Sequence, residues 1–501
     1  MSHWIIVPVI LPAILGGLMV MALRHDLVLQ RVFALACGGT LWAVASALLW
    51  AATTGAPEVY HLGNWPAPFG IVLMLDRLSA LMVWITATLA LILQLYAIGT
   101  GWDRKGRHFH ALWQFQLMGI CGAFLTADAF NLFVFFEVLL IASYGLMIHG
   151  GGAERVRAGV QYIAFNLVGS ALFLFALATI YSVTGTLNMA DLAVKMQTLP
   201  EGSSALMRVA AVLLFLVFAI KGALVPLQFW LPGTYANAPG VVAALFAVMT
   251  KVGAYAVLRF GTLVFPQSLA ATGSMVADLL LPAALVTLIL GALGVLGATS
   301  LPRLVAFAAI ASMGTLFTSM AAFTPASSAA TLYYLLHSTF ATALMFVVAD
   351  MIGARRAKAR LSDVSPPLAQ AGLIAALYFA GAVALAGMPP LSGFLGKLLV
   401  LQAQRGAANL VWPVILITSL ILILGFVRAG SMIFWKAHEG GAKAGDHAPE
   451  ALAFVSAFLL LAVLVSLTVL AGPVTVWAEA TAAYLHDPAA YIAANQLYEA
   501  P

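Results

Sequence analysis

The chain has 501 residues, of which 63% are hydrophobic and 8% charged, with a formal net charge of +5. A soluble domain carries about 25% charged residues, so this composition excludes a soluble enzyme and indicates an all-α integral membrane protein. The basic residues are scattered through short polar stretches, without the basic block that nucleic-acid binding uses, so no nucleic acid is expected as a partner.

A helix needs about 20 apolar residues to cross a bilayer. The first stretch, MSHWIIVPVILPAILGG, has no Lys or Arg ahead of its apolar run and no cleavage pattern of a signal peptide, and is read as the first span. In chain order, spans are expected at 4–23, 31–52, 72–98, 108–127, 129–149, 157–184, 206–236, 238–264, 275–298, 303–322, 326–352, 368–402, 409–434 and 450–472, fourteen in all. Two further stretches, LNMADLAVKMQTL (187–199) and VTVWAEATAAYLHD after Pro473, are mildly amphipathic and read as surface helices. The two cysteines, Cys37 and Cys121, lie in apolar runs without a CxxC spacing, and read as core residues rather than cluster ligands; no cofactor is expected.

Charge asymmetry orients these spans. Loops following odd-numbered spans hold Arg24, Arg31, Arg104, Lys105, Arg107, Arg155, Arg157, Arg303, Arg355, Arg356, Lys358, Arg360, Lys436 and Lys443; the opposite side holds Lys195, Arg208 and Arg405. Both termini are therefore expected on the non-cytoplasmic side.

Five ionisable residues fall well inside spans: Glu137, Lys221, Lys251, His337 and Lys397. An isolated charge there costs about 2.5–3.5 kcal/mol on insertion scales, so it is paired, hydrated or functional. Structural ion pairs are the plainest explanation, but one acid cannot neutralise three lysines and a histidine. Groups that lose or gain a proton under burial are what a proton relay needs. Asp76, Arg77, Arg259, Asp278, Asp350 and Arg428 lie nearer span ends, where snorkelling is the simpler reading. Asp76 and Arg77 fit it less easily, because they sit together a few residues into the third span.

The seventh and twelfth spans are too long for one straight crossing and carry helix breakers beside a lysine. Gly222, Pro226, Pro232 and Pro239 follow Lys221; Pro389, Pro390, Gly393 and Gly396 precede Lys397. Proline removes a backbone donor, and in lipid the freed groups are tolerated only against protein or a water-filled cavity. Paired broken helices point to a transport site near the midplane. The two breaks are five spans apart, which implies inverted five-helix repeats: 108–264 (spans 4–8) and 275–434 (spans 9–13), preceded by 1–107 (spans 1–3) and followed by 450–501 (span 14 and tail).

The stretches FEVLLIASYGL, KGALVPLQFWLPGTYANAPGVVAALFAVMTKVGAY, LLHSTFATALMF and GMPPLSGFLGK resemble the antiporter-like subunits shared by proton-pumping NADH–quinone oxidoreductases and Mrp (Pha) monovalent cation/proton antiporters. NWPAPFGIVLMLDRLSALMV (64–83) is similar to the D-type subunits of the Mrp group. The resemblance implies fourteen helices in inverted five-helix repeats with broken helices 7 and 12. It implies a proton path through Glu137, Lys221, Lys251, His337 and Lys397, in a bacterial cell-membrane complex with A-, B-, C-, E-, F- and G-type subunits, exchanging H⁺ for Na⁺ or K⁺.

On this reading Glu137 pairs with Lys221 and supports its charged form; separation of the two releases the proton toward Lys251, His337 and Lys397, with Tyr144, Ser338 and Thr342 helping to hold water. Lysines repel cations, so the metal ion is expected to cross elsewhere in the assembly. The same path would serve a respiratory or membrane-hydrogenase proton pump. A pure assembly scaffold is the third reading. A self-contained enzyme is not expected, since no GxGxxG, P-loop or HExxH occurs.

Overall fold

The computed structural model describes residues 2–65, 67–199, 202, 204–356, 360–437 and 447–495; Lys358 and Lys443 of the orienting set fall outside them. The first third holds α1 (Val7–Met21), α2 (Leu27–Thr54), the strands β1 (Glu58–His61) and β2 (Val72–Leu75), α3 (Arg77–Thr100), α4 (Phe109–Leu125), α5 (Ala129–Met147) and α6 (Ala153–Thr184). The middle holds α7 (Met189–Gln197), α8 (Ser204–Gly222), α9 (Trp230–Asn237), α10 (Gly240–Leu263), α11 (Met275–Gly297), α12 (Leu301–Met320) and α13 (Pro325–Arg355). The chain continues through α14 (Ala371–Ala386), α15 (Ser392–Ala403), α16 (Ala408–Ser431), α17 (Ala451–Val469), α18 (Ala471–Leu485) and α19 (Ala489–Ala494).

Among the described residues, twelve helices are long and apolar enough to cross a membrane, and α4, α14 and α15 are shorter apolar helices. One of the fourteen expected spans comes out short, and the two expected to be broken are each divided. The stretch expected as the fourth span forms a helix of only 17 residues. The expected twelfth span is two half-length helices, α14 and α15. The seventh expected span is also divided: α8 is long enough alone, and α9 is a separate helix of eight residues.

The third expected span begins later than its apolar run. Val72–Leu75 instead pairs antiparallel with Glu58–His61, Leu75 opposite Glu58. A short apolar run does not distinguish strand from helix. Asp76 then starts α3: its carboxylate accepts from Ser79 N–H at 2.8 Å, and Ser79 Oγ accepts from Asp76 N–H at 2.9 Å. Asp128 caps α5 in the same way, accepting from Asn131 N–H at 2.7 Å. The two stretches read as surface helices become α7 and α18.

The core runs along α10 and α13. Every residue of α10 from Val241 to Leu263 is buried, as is nearly all of α13. Their polar side chains therefore face protein, whereas α1, α2, α6, α16 and α17 leave large apolar side chains on the outside. Cys37 and Cys121 are buried and unbridged.

Candidate functional site

The five deep ionisable residues sit on helices that pack in succession. Glu137 is on α5, Lys221 in the last turn of α8, Lys251 midway along α10, His337 midway along α13, and Lys397 in the second turn of α15. The packing order is α5 on α6, α6 on α8, α8 on α10, α10 on α13 and α13 on α15.

Glu137 and Lys221 do not touch as an ion pair; each is held by α6, which lies against both of their helices. Lys221 Nζ donates to Asn166 Oδ1 at 2.9 Å, and Ser170 Oγ donates to Glu137 Oε1. Asn166 and Ser170 are four residues apart, one above the other on the same helical face. Both charged groups line one small cavity with Phe136, Leu140 and Phe173, with room for about a single water molecule. The direct pair expected from the sequence is thus replaced by two hydrogen bonds to one intervening helix.

At the first break, α8 ends at Gly222, Ala223 takes a positive φ of 54°, and Pro226 lies in the gap before α9, whose first turn contains Pro232. The carbonyl of Ile220 accepts from Ala223 N–H at 3.2 Å and from Trp230 Nε1 at 3.0 Å. The N–H of Val225 donates to Thr287 Oγ1 on α11 at 2.9 Å. Protein groups thus satisfy the interrupted backbone, as the low-dielectric surroundings require. α10 meets α8 at a glycine: a Cβ on Gly253 would lie 2.6 Å from the Phe218 carbonyl and 3.0 Å from Lys221 Cβ, and Lys251 stands two residues earlier on α10, turned to another side of the helix.

The second break holds its lysine directly. Pro389 and Pro390 separate α14 from α15, and Lys397 Nζ donates to the freed Ala386 carbonyl at 2.9 Å and to Ser419 Oγ on α16 at 2.7 Å. His337 Nδ1 and Ser392 Oγ, at the start of α15, are 3.0 Å apart. Gly393 makes this approach possible: a Cβ there would lie 2.0 Å from the Ala384 carbonyl and 2.9 Å from the His337 ring. His337 is within electrostatic reach of both Lys251 and Lys397.

Asn166, Ser170, Ser392 and Ser419 were not singled out from sequence. The available signal was Asn166 with Ser170 at i, i+4 in the apolar middle of α6, where a polar side chain seeks a partner across helices. Of the supporting residues that were expected, Tyr144 lies near Glu137, Ser338 donates to the Leu335 carbonyl, and Thr342 Oγ1 is buried without a partner among the described residues.

Snorkelling does not describe Arg259 and Asp76. Both are buried, 3% and 2% exposed, and form a two-pronged ion pair, Nη1 to Oδ2 at 2.6 Å and Nη2 to Oδ1 at 2.8 Å. Asp350 also turns inward, accepting from Tyr96 Oη at 2.7 Å and Trp102 Nε1 at 2.8 Å. Among the described residues no cluster of three or more His, Cys, Asp or Glu could hold a metal ion.

Residues 126–423 match a family model described as NADH:quinone oxidoreductase/Mrp antiporter, transmembrane. The chain is 35% identical to the D-type subunit of a Na⁺/H⁺ antiporter from Bacillus subtilis (strain 168), over 99% of each chain. It is 35% identical to the D-type subunit of a probable K⁺/H⁺ antiporter from Rhizobium meliloti (strain 1021), over 97% of this chain and 96% of the other. Among solved structures, a chain of the Mrp complex from Dietzia sp. DQ12-45-1b superposes with a TM-score of 0.88 at 28% identity, covering 99% of this chain and all of that one.

Proposed function

The chain belongs to the NADH:quinone oxidoreductase/Mrp antiporter transmembrane family, and from that premise we propose that it is the D-type membrane component of a multisubunit Na⁺(K⁺)/H⁺ antiporter and supplies the proton path. The observation that carries the reading is the shared cavity of Glu137 and Lys221, each charge held by a different side chain of α6. A small shift of α5 or α6 exchanges those hydrogen bonds for direct contact. The carboxylate then favours the ammonium form of Lys221, and its withdrawal favours proton release. Water carries the proton on through Lys251 and His337 to Lys397, whose ammonium the second break receives through the Ala386 carbonyl.

The membrane reading follows the same logic. Counting α4 as a short crossing and the α14–α15 pair as a broken one gives fourteen passes of a bacterial cell membrane, with both termini on the non-cytoplasmic side. Helices α4 to α10 and α11 to α16 then form the two inverted repeats. The metal ion crosses elsewhere, in a complex with A-, B-, C-, E-, F- and G-type subunits, because three lysines on the path repel it. The test is the rate of cation-driven proton movement in membranes carrying the complete complex. Lys221→Ala is expected to lose it, and an unchanged rate would refute the path.

A second reading is favoured by the family description itself, which also covers NADH:quinone oxidoreductase. The same path would then be driven by electron transfer in partner subunits, and NADH oxidation rather than a cation gradient would move protons.

A further inference from the structure

Two polar stripes face each other where α12 packs on α13. On α13, Ser328, Thr331, Tyr334 and His337 recur every three residues, so the row turns about 60° around the helix at each step, with Thr331 and Tyr334 meeting α12. On α12, Ser312, Thr315 and Ser319 recur at three and four. All seven are buried. They approach across the seam: Tyr334 Oη and Ser312 Oγ are 3.2 Å apart, and Thr331 Oγ1 and Ser319 Oγ 3.0 Å. The rings of Tyr334 and His337 lie 5.6 Å apart at their centroids. At the far end, Ser328 Oγ is 2.9 Å from Nε2 of His486, the half-buried residue that closes α18.

Hydroxyls in apolar helices commonly bond back to their own helix; Thr315 does so, to the Ala311 carbonyl at 3.1 Å, and Thr331 does so too, to the Ser327 carbonyl at 2.7 Å. That habit does not account for the three contacts that leave the helix of origin, nor for their order along the seam. His337 to Ser328 is nine residues, about 13.5 Å of helix, roughly half of a hydrocarbon core about 30 Å thick. The Ser328 end of α13 is opposite the end bearing Arg355 and Arg356.

We propose that this seam is the proton passage between His337 and the membrane face opposite the basic loops, and that His486 is its terminal proton carrier. The inference rests on the proton path proposed above. Each step forms one O–H or N–H bond as another breaks. A hydroxyl accepts a proton on its lone pair and passes on the one it held. His486 accepts at Nε2, gives a proton to water and returns to the neutral imidazole.

The experiment uses the complete complex in proteoliposomes, with wild type, Lys221→Ala, His486→Ala and Thr331→Val compared for cation-driven proton movement. Loss of a positioned acid–base group costs a hundredfold or more in typical enzymes; here bulk water partly substitutes, so His486→Ala is expected to be about tenfold slower. Millimolar imidazole added at that face is expected to restore its rate, as a merely structural role would not allow. Thr331→Val is expected to be slow and insensitive to imidazole. If Lys221→Ala is silent while His486→Ala keeps the wild-type rate, or stays slow in imidazole with the complex assembled, the seam is not the passage. If Lys221→Ala itself exchanges normally, the underlying path is wrong and the proposal falls with it.

Discussion

Gly393→Ala puts the geometry of the second break to a direct test. The added Cβ would stand 2.0 Å from the Ala384 carbonyl oxygen and 2.9 Å from two atoms of the His337 ring. Contacts this short are not tolerated, so α15 must retreat from α14 by about an ångström, carrying Ser392 away from His337. Forcing a methyl into a packed site costs about 1–3 kcal/mol. If that cost falls on the transport-competent arrangement, it corresponds to a rate loss of about 5- to 150-fold. Cation-driven proton flux is measured beside the yield of assembled complex, and Gly472→Ala, whose Cβ meets nothing within 4 Å, serves as control. The variant is expected to assemble and to transport slowly. Wild-type flux from Gly393→Ala would show that the close approach of His337 to the break has no bearing on transport.

Asn166→Leu leaves the Lys221 ammonium without its side-chain acceptor; an unsatisfied buried donor costs about 1–3 kcal/mol. Initial flux is expected to fall while assembly is retained, and unaltered flux would remove Asn166 from the mechanism. Asp76→Asn strands the buried Arg259 charge, a change that typically costs about 3–5 kcal/mol. The melting temperature of the purified complex should drop, and adding Arg259→Met should recover much of it; no recovery would place the defect elsewhere. His149, just beyond α5, is held below its ordinary value of 6.5 by burial first and then by Arg155 and Lys105. The folded chain keeps it neutral where the unfolded chain takes up a proton, so its contribution to stability is present above 6.5 and is lost as pH falls below it. His149→Gln should flatten that part of the melting-temperature profile, and an identical profile would assign the acid sensitivity to other groups.

The deep charges and the two breaks were legible in the sequence because each violates a rule of its surroundings: an ionisable group in an apolar run, a proline in a helix. The structure sets those charged residues on successively packed helices. What joins them was not legible. Asn166 and Ser170 are ordinary polar residues whose importance depends on α6 passing between α5 and α8, and nothing local specifies that neighbour. The Asp76–Arg259 pair spans 183 residues of sequence, so hydropathy alone left both at span ends. The hairpin before α3 was missed because Val72–Leu75 is as apolar as the helix that follows. The length of α4, 17 residues, differed from the apolar run it was read from, because a helix ends where its cap sits rather than where hydropathy falls.

The most direct measurement compares proton movement driven by Na⁺ or K⁺ in inside-out vesicles bearing the whole complex with either the wild-type chain or Glu137→Ala. Exchange that is present in the wild type and lost in the variant, with the complex still assembled, places Glu137 in the transport machinery. Equal exchange from both, or proton movement that responds to NADH oxidation and to neither cation, contradicts it.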